Sequence, residues 1–352
     1  MYLNPQAREW TAPDQALTGD PRALHRTLPG FEATPLTRAP GLAKELGVGE
    51  VFVKDEHVRA GLPAFKILGA AWAVFKALGG TDERDGMPQV DPETTLVCAT
   101  AGNHGRAVAY LAKLMKIKAH IFIPAGTAPA RIEAIRSEGA QVEIVDGDYA
   151  QAVGKATATA AADPKALHAA DVGDSMSPIW ASQGYRTVLL EIDEQLGAKK
   201  LDLVVVPVGA GAFASTVVSH YRGDSAHPAI LAVEPESAAC LLKSLQAGEL
   251  VNVPGPHPSV MAGLNAGDVD GHAWPILQPG VDAAITVTDD ETHQAMRDLA
   301  AEDIVAGECG AASLAGIRKA RKELQLSDDA VVVLISTEGV HDQASYQAVL
   351  SR

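Results

Sequence analysis

Runs of β-branched and aliphatic residues recur along this chain with alanine-rich stretches between them, and that alternation restricts the fold more than any other feature. The runs are TTLVCAT (94–100), KAHIFIP (118–124), AQVEIVD (140–146), LDLVVVPV (201–208), AILAVEP (229–235) and AVVVLIS (330–336). Short strands with little polar alternation belong in parallel sheets covered on both faces. The pattern therefore predicts an α/β fold of βαβ units, parallel sheets flanked by helices. The stretch 150–162 reads as one such helix, and the alternation from Thr94 to about Ala170 closes on itself as a small lobe. The expected division is a small α/β domain over 92–171 and a large domain made of 1–91 plus 172–352. Two Pro/Gly-rich or acidic stretches, 81–93 and 253–271, are expected as surface loops or lobe boundaries.

With 352 residues the chain is long enough for two lobes and a buried site. A formal charge of −15 and the lack of any basic run argue against a nucleic-acid partner. The opening MYLNPQAREW has neither the basic start nor the apolar core of a leader. No uncharged apolar stretch reaches the roughly 18 residues a membrane span needs, so the expectation is a cytoplasmic protein with no membrane partner. Cys98, Cys240 and Cys309 are odd in number and outside any CxxC pattern, which predicts buried, reduced thiols rather than disulfides or zinc.

Three stretches carry chemistry. In GLPAFKILGA (61–70), a helix starting near Ala64 places Phe65, Leu68, Trp72 and Phe75 on one apolar face. Lys66 then lies along Gly69, Ala70 and Ala73, a strip of small residues against which a planar object could lie, and a dry pocket there would lower the lysine's pKa. In ATAGNHGRAVAY (99–110), a strand ends in a glycine-flanked turn that presents Asn103 where ligands of α/β sheets bind, with His104 beside it. No second ligand stands at metal spacing from His104, and a packed, hydrogen-bonded histidine is the simpler reading. In VVVPVGAGAFASTVVSHY (204–221), the amides from Gly209 to Phe213 at a helix start suit a phosphate without any basic side chain. That turn also fits G-x-G-x-x-A through Gly209, Gly211 and Ala214, with Glu234 near the place of a ribose-binding acid, so a dinucleotide-binding domain is the rival reading.

Taken in order, KDEHVRAGLPAFK (54–66), TAGNHG (100–105), VGAGAFA (208–214), GECGAAS (307–313) and ISTEG (335–339) resemble the fold-type-II pyridoxal 5′-phosphate (PLP) enzymes, two-lobed and tryptophan synthase β-like. Among them the diaminopropionate ammonia-lyase group is nearest, and the likeness runs from about Leu28 to Asp342. The resemblance implies that Lys66 is the catalytic lysine and forms the Schiff base with PLP, flanked by Phe65. It assigns Asn103 to the cofactor's phenolic oxygen, and the loop of Thr100, Ala101, Gly102 and His104 to the substrate carboxylate. Gly209, Ala210, Gly211, Ala212 and Phe213 would hold the phosphate, and Ser336 or Thr337 the pyridine nitrogen.

The reaction implied is β-elimination and deamination of an L-amino acid to an oxo acid and ammonia. Alternatives are dehydration of a β-hydroxy amino acid (threonine, serine or a bulkier one) and β-replacement. Asp171 or Asp174 could protonate the leaving group, help bind a basic substrate, or cap a turn. Ala101 stands where relatives resembling this chain carry Asp or Ser, so no acid or base is expected on the cofactor face opposite the lysine, and an L-substrate preference follows. Glu234 and Ala238 match a metal-binding pattern of related dehydratases and racemases, but Cys240 replaces its second acid, so no required metal is expected. Glu308 could line the cofactor plane or begin the next helix. The resemblance also implies a homodimer.

Overall fold

The computed structural model describes residues 1–13, 19–81, 86–100, 102–173, 175–223 and 227–352. Eleven strands are present among them: β1 (Tyr2–Leu3), β2 (Leu36–Arg38), β3 (Glu50–Asp55), β4 (Thr95–Ala99), β5 (Lys118–Pro124), β6 (Gln141–Val145), β7 (Ala166–His168), β8 (Leu203–Pro207), β9 (Ala229–Pro235), β10 (Ala283–Val287) and β11 (Val331–Ser336). They form a seven-stranded sheet, β1-β10-β9-β8-β11-β3-β2, and a four-stranded sheet, β6-β5-β4-β7. The smaller sheet is wholly parallel. The larger is parallel except at its edges, where β1 and β2 run antiparallel to β10 and β3.

All six strands expected from the β-branched runs are present, within a residue or two of the expected ends. The helix expected over 150–162 is Tyr149–Ala162, begun by a capping box of Asp148 and Gln151.

The chain divides into two compact units, one of Met1–Thr18, Ala33–Arg59 and Val188–Arg352, the other of Gly19–Glu32 and Ala60–Thr187. The second unit extends past 92–171 on both sides, because helix Lys66–Ala77 and the first half of helix Met176–Leu196 group with the smaller sheet. In the larger unit the sheet interior (Val51, Val53, Val205, Leu231, Val233, Leu334) packs on helix Glu308–Leu324. That helix lies so close that a Cβ at Gly316 would stand 2.3 Å from Val233 Cγ2. In the smaller unit Val97, Ala99, Phe122 and Val145 pack against Ala152 and Ala156.

The larger unit also buries a cluster of full charges. Lys54 Nζ donates to Glu191 at 2.7 Å, and Arg59 donates to Glu191 at 2.7 Å and to Glu56 at 2.6 Å. Thr34 and Gln195 complete the cluster through its carbonyl and side chain at 2.7 and 3.0 Å from Lys54 Nζ. No side chain of the four charged residues is more than 4% exposed. Burial of this order is tolerated only where charges are paired and hydrogen-bonded.

Candidate active site

In an open parallel sheet, a crevice forms at the carboxyl ends of two neighbouring strands whose connections leave in opposite directions. In the larger sheet that switch lies between β8 and β11, and in the smaller between β4 and β7. The predicted site residues gather at these places.

At the first switch, β8 runs through Val208 and Gly209 into helix Ala212–Tyr221, which no side chain caps. Gly211 adopts φ 99°, a left-handed conformation open to glycine. The stretch 253–271 is not merely a surface loop. Met261, Leu264 and Val269 are buried, and Ala210 O accepts the Asp270 N–H at 2.8 Å. A Cβ at Gly209 would come within 3.0 Å of Gly263 O, so this stretch forms the wall that presses the turn into shape. The uncapped amides suit a phosphate.

Beside it, β11 ends at Ser336. The hydroxyls of Ser336 and Thr337 are buried, 1% and 6% exposed by residue, and have no hydrogen-bond partner among the described residues. An orphaned buried hydroxyl costs on the order of 1–3 kcal/mol and points to a ligand that completes it. The residues therefore fit PLP, with a hydroxyl for the ring nitrogen and helix amides for the phosphate. Glu338, which sequence reasoning passed over, accepts the Cys309 N–H at 3.2 Å and lies 2.9 Å from His341 Nε2. It ties the turn after β11 to the start of helix Glu308–Leu324, which Glu308 opens.

The dinucleotide reading loses its acid here. Both carboxylate oxygens of Glu234 accept backbone amides, Leu241 and Leu242, each at 2.7 Å. The side chain is fully buried, and burial pushes its pKa up to about 8 against the pull of those amides. The carboxylate is turned into the protein's own backbone and away from any ribose. Cys240 Sγ, in the position of a metal-binding acid, instead lies 3.7 Å from Gly209 O.

At the second switch, β4 leads into the turn before helix Asn103–Met115, and β7 leads through Ala169 and Ala170 to Asp171. Thr100 Oγ1 accepts the amides of Gly102 and Gly105 at 2.9 and 3.1 Å, so its oxygen shapes the turn. Asn103 is the first residue of the helix. His104 Nε2 donates to Ala169 O at 2.6 Å, which leaves the Nδ1 lone pair 3.6 Å from Asp171 Oδ2 with no hydrogen-bond partner among the described residues. Burial, aided by Lys66, outweighs Asp171 and lowers the imidazole's pKa, so His104 is neutral. Ala101 and Asp174 lie outside the described residues.

Lys66 is the first residue of helix Lys66–Ala77, and Phe65 immediately precedes it. Its Nζ donates to Asp171 Oδ2 at 3.0 Å, and its side chain is 25% exposed. The small-residue strip beside it is filled by protein. A Cβ at Gly69 would stand 2.4 Å from Cε1 of Tyr185, so the planar object along that strip is the tyrosine ring. Nor is the lysine's pKa lowered. Burial does oppose its charge, but Tyr185 and Asp171 outweigh burial and hold the amine above its ordinary range. Asp171 is correspondingly held below the usual carboxylate range: burial works against this, and the hydrogen-bonded ammonium of Lys66 overcomes it.

Tyr185 carried no motif. Its trace in the sequence is a pair of glycines in helix interiors, Gly69 and Gly184, each about 1 kcal/mol worse than alanine for the helix. A Cβ at Gly184 would meet Leu68 O at 2.5 Å, so the two helices cross at these glycines.

A parallel α/β protein with a part-buried lysine–aspartate pair, an uncapped glycine turn and a buried hydroxyl at a strand end matches PLP enzymes of the second fold type. The model of the family "Pyridoxal-phosphate dependent enzyme" matches residues 27–338, and the chain belongs to that family. Diaminopropionate ammonia-lyase of Salmonella typhimurium (strain LT2) is 32% identical over 93% of this chain and 90% of its own length. Biosynthetic L-threonine dehydratase of Escherichia coli (strain K12) is 32% identical over 88% of this chain and 58% of its own length. The crystal structure of Escherichia coli diaminopropionate ammonia lyase with an aminoacrylate-PLP azomethine reaction intermediate superposes with a TM-score of 0.85, at 28% identity and 97% coverage of both chains.

Proposed function

We propose that this enzyme is a PLP-dependent ammonia-lyase that acts on L-2,3-diaminopropionate by β-elimination and deamination, releasing an oxo acid and ammonia. The observation that carries the reading is the buried Asp171 carboxylate 3.0 Å from Lys66 Nζ. In this reading Lys66 carries the cofactor, Asn103 meets its phenolic oxygen, Gly209–Phe213 hold its phosphate, and Ser336 or Thr337 faces its ring nitrogen. When bound, the cofactor supplies an electron sink for the carbanion formed as the α-proton leaves. Lys66 Nζ is the base for that proton, and Asp171 receives the resulting ammonium.

While Nζ is a neutral nitrogen, Asp171 is a buried carboxylate without its cation, and such a group attracts another ammonium. The β-ammonium of diaminopropionate provides one, and it departs as ammonia without an added proton. A β-hydroxyl brings no charge and must be protonated to leave. Neutral His104 does not compete for the carboxylate as a cation would. Alanine at 101 offers no acid or base, which supports the L-isomer as substrate. The second reading, a β-hydroxy amino acid dehydratase, draws on the threonine dehydratase relative. We place the enzyme in the cytoplasm as a homodimer acting on a small amino acid, with no nucleic-acid partner; among the described residues no helix is long and apolar enough to cross a membrane.

Reconstituted with PLP, the protein is expected to release oxo acid and ammonia from L-2,3-diaminopropionate at least about tenfold faster than from L-serine, L-threonine or D-diaminopropionate, a difference of about 1.4 kcal/mol in barrier. Borohydride should fix the cofactor on Lys66, and Lys66→Ala should show no turnover. Turnover of threonine without release from diaminopropionate overturns the substrate, and a label on another lysine overturns the site.

A further inference from the structure

We propose that His104 is a specificity-determining residue: its Nδ1 and Asp171 Oδ2 form a pair of acceptors for a second ammonium on the substrate, the leaving group of diaminopropionate. The inference rests on the substrate reading above and deepens it. It gives His104 the amine end of the substrate in place of the carboxylate that its motif implies.

Three observations lead there. His104 Nε2 lies 2.6 Å from Ala169 O, an atom that only accepts, so the ring proton is on Nε2 and Nδ1 carries a lone pair. That lone pair is buried, in a residue 4% exposed, and has no hydrogen-bond partner among the described residues. It stands 3.6 Å from Asp171 Oδ2, which is also an acceptor and takes the Lys66 ammonium at 3.0 Å. Two acceptors therefore face each other, and the lysine beside them satisfies one alone.

The arrangement has little freedom to relax. Ala169 N donates to Val97 O at 2.8 Å, which ties the partner of Nε2 to β4. A Cβ at Gly105 would stand 2.9 Å from Ile121 Cγ2, so the helix start that carries His104 is pressed onto the smaller sheet. A buried acceptor held in place and unmet points to a ligand that completes it.

Charge and hydrogen count select that ligand. A carboxylate brings only lone pairs and would meet two acceptors, one of them an anion, so the acid end of the substrate is excluded from this spot. A hydroxyl has one hydrogen for two acceptors and leaves one of them buried and unmet. A primary ammonium has hydrogens for both, and carries the charge that Asp171 lacks once Lys66 is engaged. With the acceptors 3.6 Å apart, a single nitrogen reaches both. Asp171 alone attracts any cation, and His104 turns that attraction into a preference for an amine with hydrogens to spare.

The test is a binding titration of full-length Lys66→Ala protein loaded with PLP, which does not turn substrate over, read by the cofactor's absorbance with L-2,3-diaminopropionate and with L-serine. His104→Gln keeps an amide donor for Ala169 O and has no acceptor at the Nδ1 position. In this background its preference for diaminopropionate over L-serine should fall at least about tenfold. His104→Asn does the reverse, with an amide oxygen near the Nδ1 position and no donor for Ala169 O, and should keep that preference within about threefold. With Lys66 restored, His104→Gln should lose kcat/KM for diaminopropionate mainly through KM, as expected when binding common to ground and transition states is removed. An unmoved preference in folded His104→Gln, or an equal loss in both variants, overturns the proposal and reduces His104 to packing. If His104→Gln does not fold, His104→Asn decides alone: a retained preference supports the role and a lost one overturns it. The titration needs no turnover, so inactivity of the native enzyme on diaminopropionate overturns the substrate reading and leaves the ratio readable, and an unmoved ratio leaves that activity standing.

Discussion

Lys54, Glu56, Arg59 and Glu191 sit in the larger unit with every charge met by an opposite one, while Lys66 and Asp171 in the smaller unit share their surroundings with an imidazole nitrogen that has no hydrogen-bond partner among the described residues. Both groups pair lysine with a carboxylate at similar distance, 2.7 Å in one and 3.0 Å in the other. They differ in what remains unsatisfied. The first is closed to solvent and has two cations for two anions, so it can accept nothing further. The second keeps a quarter of its lysine exposed and an open lone pair, and the nitrogen is available for reaction. A saturated network specifies structure, and residual hydrogen-bonding capacity marks the place where something else binds.

The comparison breaks most visibly at Arg59. Arg59→Met leaves Glu56 and Glu191 buried with one cation between them, and is expected to lower unfolding stability by about 3–5 kcal/mol in urea denaturation of the cofactor-free protein. If the loss is under about 1 kcal/mol, the first cluster is not the structural element described here. Asp171→Asn should behave in the opposite way, with stability changed by less than about 1 kcal/mol but turnover of diaminopropionate reduced roughly a hundredfold. A parallel loss of stability would show that the two clusters are alike.

The smallest effect concerns acid. Burial raises the Glu191 pKa, but Arg59 and Lys54 more than offset it, so the folded value lies below the ordinary 4.5. The unfolded chain thus takes up this proton first. The stabilisation is complete above pH 4.5 and is lost as pH falls through the folded value. Urea midpoints measured stepwise to pH 3 should fall less steeply in Glu191→Gln than in the native sequence.

What could be read from the sequence follows the same line between local and distant signals. Strands β4, β5, β6, β8, β9 and β11 announce themselves by β-branched runs, whereas β10 (AAITV) has two alanines in five residues and β7 has three residues in all. Strand β3 (EVFVKD) ends in charges that look solvent-bound until Glu191, far along the chain, neutralises Lys54. Lys66, Asn103 and the glycine turn are legible because each lies in a contiguous motif at a strand or helix end. Tyr185 is not, since its partners Gly69 and Lys66 come from another helix and meet it only after folding. For the same reason a strip of small residues beside Lys66 suggests space for a cofactor when the space belongs to a ring, and suggests a weakened base when the base is strengthened.

The fit of Tyr185 against Gly69 also imposes an order on the changes this lineage can accept. Trading the tyrosine for a smaller residue opens the opposite helix to a methyl group, and later substitutions at 69 then become harmless. The reverse path is closed, because a side chain at 69 meets the ring before the ring has gone. Descendants that carry a side chain at 69 should therefore have lost the tyrosine first, and once 69 has filled, they have no single step back.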